Sequence, residues 1–190
     1  MTLLVVGLLL FLGVHSVSIL APAWRDGMVA RLGEKPWKGL YSLLALAGFV
    51  MLLLGYGAAR AEPVVLYVPP AWLRWVAIVL MLPVFPLLVA TYLPGRIRSA
   101  AQHPMLAATK FWALAHMLAN GMLADVVLFG GLLAWAVADR ISLKRRAPRA
   151  LPLAPETPAN DALAIFLGLV VYVAFVAALH QALFGVAPLP

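Results

Sequence analysis

Most of the chemistry available to this chain rests on four histidines, one lysine and one aspartate. His15, Lys110, His116 and His180 fall inside long apolar runs, Asp125 lies near the end of one, and His103 directly precedes Pro104 at the edge of another. An ionisable side chain at membrane depth is costly, so each of these is a candidate functional residue. Imidazole is the commonest metal ligand, and two imidazoles from different helices can clamp a haem iron. The macrocycle is apolar, and its propionates can meet basic side chains at the membrane edge. On this reading two of His15, His116 and His180 are axial ligands, with the pairings His15–His116 and His116–His180 both open. Lys110 and Arg98, with Arg96 beside it, are partners for propionates. The plainer alternative is that each histidine bonds a carbonyl of a neighbouring helix. Lys110 would then reach the aqueous face, and the arginines would report only topology.

Other chemistries are excluded or weakly supported. The chain has no cysteine, which removes disulfides, thiolate metal sites and cysteine nucleophiles. No HExxH cluster, Walker-type glycine loop or dinucleotide glycine pattern is present. No serine stands at a recognisable spacing from a base. Arg98 and His103-Pro104 are similar to part of the Arg-His-Pro string of membrane methyltransferases. Here Gln102 precedes His103, and the acidic, tyrosine-rich cofactor segment of those enzymes is missing. A non-catalytic assembly factor or scaffold is the other competing function.

These residues must be held by membrane-spanning helices. Of 190 residues, 65% are hydrophobic and 11% charged, against about 45–50% and 25% in soluble domains. That excludes a soluble enzyme, a disordered chain and a nucleic-acid-binding domain. The net charge of +7 then reports topology and contact with anionic headgroups. The expected fold is all-α: a polytopic bundle forming one integral membrane domain over 1–190, with a Pro-rich cytoplasmic linker from Ala147 to Asn160.

A span needs about 20 mostly apolar residues. Thr2–Ala23 qualifies as a retained helix. It resembles a signal peptide at Ala21-Pro22-Ala23, but no basic residue precedes it. Gly39–Ala59, Trp72–Leu93 and Ala162–Phe184 are the next clear runs, with kinks expected at Pro83 and Pro86. Pro104–Ala138 is too long for one crossing, at roughly 50 Å. Asn120-Gly121 in its middle predicts a tight left-handed turn between two short helices, 104–119 and 122–138. Six spans put eleven loop Lys and Arg on one side and two on the other, whereas five spans divide them six to seven. The positive-inside rule therefore favours six spans over five, with both termini outside. Asp125 fits the same arrangement, near water at a helix N-terminus. The pairs Gly55/Gly57 and Gly130/Gly131 are expected to permit close helix packing. By rise per residue, His15 lies about 20 Å from the outer face, His116 about 12 Å and His180 about 2 Å. Tilt can absorb either the His15–His116 or the His116–His180 offset.

Several strings occur together: Gly13-Val14-His15-Ser16, His103-Pro104-Met105-Leu106, Trp112-Ala113-Leu114-Ala115-His116, Ala119-Asn120-Gly121 and Leu179-His180-Gln181-Ala182-Leu183-Phe184. On these the chain resembles the NnrU family of bacterial membrane proteins along nearly its whole length. That resemblance implies the bacterial inner membrane, so that the outside termini would be periplasmic, a tie to denitrification and nitric-oxide metabolism, and a redox or denitrification partner in the membrane. The chain is also distantly similar to the plant cis-ζ-carotene isomerases, which carry haem b on histidine ligands. This second resemblance implies haem b as cofactor, with His15 and His116 at the iron. It departs at Ala113, where the isomerases have cysteine, so a thiol-based ligand switch is impossible here.

Overall fold

The computed structural model describes residues 1–146, 149 and 151–189. It is helical almost throughout: α1 Thr2–Leu20, α2 Pro22–Leu32, α3 Glu34–Ala61, α4 Leu73–Met81, α5 Val84–Ala90, α6 Arg96–Ala101, α7 Pro104–Ala119, α8 Leu123–Leu143 and α9 Asn160–Phe184. The polytopic helical bundle expected from composition is the observed class. Five helical stretches are long and apolar enough to cross a membrane: α1, α3, α4 with α5, α8 and α9. The sixth expected span, α7, has 16 residues, about 24 Å of helix against a core of about 30 Å.

The structure corrects several local expectations. The first basic loop, 24–38, is largely helical, formed by α2 and the start of α3. The third span breaks at Leu82-Pro83, where proline removes a ladder donor, and Pro86 sits in the first turn of α5. The helix does stop at Asn120-Gly121, but not through a left-handed turn. Asn120 is extended, at φ −131° and ψ 145°, and Gly121 has no positive φ. Two strand-like bonds hold the crossing instead, from Tyr67 N–H to the Gly121 carbonyl (3.2 Å) and from Leu123 N–H to the Val64 carbonyl (2.8 Å). Gly121 is required because a Cβ there would collide with the Tyr67 carbonyl. Of the expected linker Ala147–Asn160, residues 147, 148 and 150 lie outside those described. Further along it, Ala154 N–H bonds the Tyr92 carbonyl at 3.0 Å, and Asn160 bonds the carbonyls of Pro94 and Pro155.

The chain forms two compact units. The first comprises Met1–Leu66 with Met122–Gly131. Its core is the α1–α3 contact, where Leu4 and Leu52 are buried. Backbones approach closely because small residues face them. A Cβ on Gly7 would come 2.7 Å from Leu52 N, and one on Gly48 would come 2.7 Å from Phe11 N. Gly55 faces the Leu4 backbone and Gly131 the Leu8 side chain, whereas Gly57 faces open space. Asp125 lies in the first turn of its helix as expected, and it also caps that helix by accepting the Met122 N–H at 2.9 Å. It is not near water, however: it is 1% exposed and accepts the Tyr56 hydroxyl at 2.5 Å.

The second unit comprises Tyr67–Gly121 and the chain from Leu132 on. Here α7 packs on α4 and α5, and α9 packs on α5. Gly168 lies against the Pro86 backbone, and the Tyr172 hydroxyl donates to the Ile78 carbonyl at 3.0 Å. Asp161 accepts the Arg96 and Ile97 N–H groups at 2.8 and 3.1 Å, which caps α6 from a distance in sequence. Arg140, near the end of α8, donates to the Gln102 side chain just before α7, at 2.5 Å. The start of α7 therefore lies beside the end of α8, as an antiparallel hairpin requires.

Candidate cofactor site

A cavity of about 130 Å³ opens within the second unit between α4, α5, α7 and α9. Its wall is mostly apolar, including Ala77, Met81, Phe85, Ala115 and Phe175. Five polar side chains join that wall: His116, His180, Arg74, Asn120 and Tyr172. An apolar chamber with a few convergent polar groups is the usual form of a small-ligand site.

The two imidazoles face each other with ring centroids 6.4 Å apart and planes 29° apart. Local structure sets each ring. His116 Nδ1 donates to the Trp112 carbonyl one turn back, at 2.8 Å. His180 Nδ1 donates to the Val186 carbonyl at 2.7 Å. That second bond depends on Gly185, whose left-handed φ of 73° ends α9 and folds the chain back over the ring. In a ring so bound Nδ1 is the donor, which leaves Nε2 as the nitrogen available to a metal. Asn120 Nδ2 bonds the His116 carbonyl at 2.9 Å and fixes the end of α7.

His180 reaches the cavity through a π-helical turn. Residues Phe175–Leu179 form wide i→i+5 turns directly before it. Each residue added to a helix rotates the succeeding side chains by about 100°, and such turns recur at functional sites. Phe175 and Val176 from the same turn line the cavity.

The candidate residues are distributed unevenly. His116 and His180 are brought together. His15 belongs to the first unit, where Nδ1 donates to the Phe11 carbonyl at 2.7 Å and the ring lies against Phe11 and Tyr41. Lys110 is half-buried on α7 and does not line the cavity. Arg98 lies outside it too, donating to the Thr91 carbonyl. Arg96 is exposed. His103 is half-buried just ahead of α7. Sequence reasoning missed Arg74 and Tyr172 as cavity residues. In sequence Arg74 is an ordinary loop charge, and only the fold of α4 against α7 places it here. No group of three or more His, Cys, Asp or Glu able to hold a metal occurs among the described residues, so any metal here has at most two imidazole ligands from them.

A family model described as NnrU protein matches residues 3–188. No curated protein and no solved structure matches the chain.

Proposed function

The chain belongs to the NnrU family, and from that membership and the paired imidazoles we propose that it is a haem b-binding membrane protein serving nitrogen-oxide or related redox chemistry. The observation that carries the reading is the His116–His180 pair. Two imidazoles sharing one metal at about 2 Å per nitrogen have ring centroids about 6 Å apart; these stand at 6.4 Å but stacked, with 29° between planes, so the rings would have to turn end to end to take a metal between them. His116 is a ligand in either pairing that the sequence permits. His180 completes the pair within the cavity, in place of the His15 expected from resemblance. Bound iron would supply one-electron chemistry or an exchangeable site for a small gas such as nitric oxide.

The chain's own residues account for the rest. The Trp112 and Val186 carbonyls hold each Nδ1–H and raise the basicity of the opposite nitrogen. Arg74 offers a cation to a propionate, the role sequence reasoning gave to Arg98 and Lys110. Met81, Phe85 and Phe175 keep the pocket apolar. The 130 Å³ cavity is smaller than the about 300–1,000 Å³ of pockets that enclose a drug-sized ligand. A haem held by these two residues would therefore extend beyond the cavity.

An absorption spectrum of detergent-purified protein, expressed with ample haem, tests this. A Soret band that disappears in His116→Ala is the expected result. No band, or a band indifferent to that substitution, defeats the reading.

A further inference from the structure

A second polar cluster lies at the start of α7, the opposite end from Asn120, and none of its residues lines the histidine cavity. Arg98, His103, Arg140 and Arg146 are all half-buried there. Arg140 binds the neutral Gln102 side chain at 2.5 Å, and Arg98 binds the neutral Thr91 carbonyl. Arg146 meets an acid, with Nη2 2.7 Å from Asp139. Among the described residues of the cluster, three guanidinium groups thus face one carboxylate, leaving two positive charges unbalanced in a partly desolvated setting.

Two further observations mark the cluster as built for a guest. Arg146 Nη1 is buried with no hydrogen-bond partner among the described residues, although buried donors are normally satisfied. Gln102 is strained, at φ 57° and ψ −43°. It centres a tight three-residue turn closed by a 2.6 Å bond from His103 N–H to the Ala101 carbonyl. Among non-glycine described residues, Gln102 alone has a positive φ. Such strain persists where the surroundings enforce it, and it gathers at binding sites. Here it sets the Gln102 side chain against Arg140 and His103 beside the arginines.

We propose that this cluster binds a phosphate group. Guanidinium forks match phosphate oxygens two at a time, and one phosphate supplies the missing negative charge. The cluster stands at the end of membrane-spanning α8, the level of lipid headgroups, so the phosphate comes either from an anionic phospholipid or from solution. Basic pockets between membrane helices hold such headgroups.

The test measures the melting temperature of the detergent-purified full chain. It is titrated separately with phosphatidylglycerol, with inorganic phosphate and with oleate, an anionic lipid lacking phosphate. Stabilisation by phosphatidylglycerol alone assigns the site to a headgroup, and stabilisation by inorganic phosphate assigns it to the free ion. In Arg140→Gln the half-saturating concentration rises at least tenfold. Arg146→Lys keeps the charge but loses the fork, and it weakens binding in the same direction. Arg145→Gln removes one charge from the exposed neighbour and leaves binding unchanged. The proposal is overturned if nothing stabilises the chain, if oleate matches phosphatidylglycerol, or if Arg145→Gln weakens binding as much as Arg140→Gln.

Discussion

His116 and His180 do different structural work although both present Nε2. His116 is held by the regular i→i−4 geometry of α7, and its bond to Trp112 is open to prediction from helix spacing. His180 depends on a π-helical turn and on Gly185, neither of which leaves a periodic signal in sequence. The residue types are therefore legible in the sequence and the pairing is not. Arithmetic from helix rise puts the two histidines about 10 Å apart in depth, and local helix distortion and packing close that gap. A buried acid shows the same limit. Its position makes Asp125 a water-facing cap, but Tyr56, 69 residues earlier, covers it. Removing that hydroxyl leaves a buried carboxyl group short of a donor, so Tyr56→Phe should lower unfolding stability by about 1.5–3 kcal/mol, checked by thermal or denaturant unfolding in detergent. His103 carries a pH prediction. Burial, first, and the Arg140 charge, second, hold its pKa below the usual 6.5, with Asp139 acting in the opposite sense. The unfolded chain then binds more protons than the folded chain below about pH 6.5. Stability should fall as pH drops through that value, and His103→Gln should flatten the fall when melting temperature is followed from pH 7.5 to 5.5.

At the scale of elements, hydrophobic runs locate the spanning helices to within a few residues. Proline marks the break between α4 and α5, and Asn120-Gly121 marks the end of α7. The conformation at that stop is not legible in the sequence, because its cause is a distant strip of chain. Val64 and Tyr67 bond across the break, and the Tyr67 carbonyl leaves no room for a side chain on residue 121. Gly121→Ala should therefore destabilise the chain although residue 121 has no left-handed backbone. A melting temperature equal to that of the unsubstituted chain would contradict the packing described. The α1–α3 contact yields a parallel case. Its glycines at 7, 48 and 55 meet backbone, not flexible side chains, so Gly48→Leu should cost about 1–3 kcal/mol by overpacking. Gly57→Leu faces open space and should cost far less, which detergent unfolding of the two variants compares directly.

For the whole molecule, composition alone specifies a membrane bundle, and charge distribution specifies how it should be threaded. Five stretches meet the length and hydropathy of a span. The Arg140–Gln102 bond brings the far end of α8 back to the start of α7, and α7 is a sixth crossing in the threading that the charges favour. Six crossings would put both termini on one side, and the positive-inside rule would make it the side away from the basic loops. Alkaline phosphatase fused at the C-terminus should be active and a fluorescent protein fused there dark, with the opposite pattern for insertions near Arg145. Reversal of that pattern would require an odd number of crossings or the opposite orientation. Which helices bring which histidines together is not written in charge or hydropathy, since it depends on packing against α4, α5 and α9. The most direct test of the haem assignment is electron paramagnetic resonance of the ferric, haem-loaded protein. The paired imidazoles predict a low-spin signal that turns high-spin in His180→Ala and stays low-spin in His15→Ala. A low-spin signal that survives His180→Ala and is lost in His15→Ala would contradict the assignment.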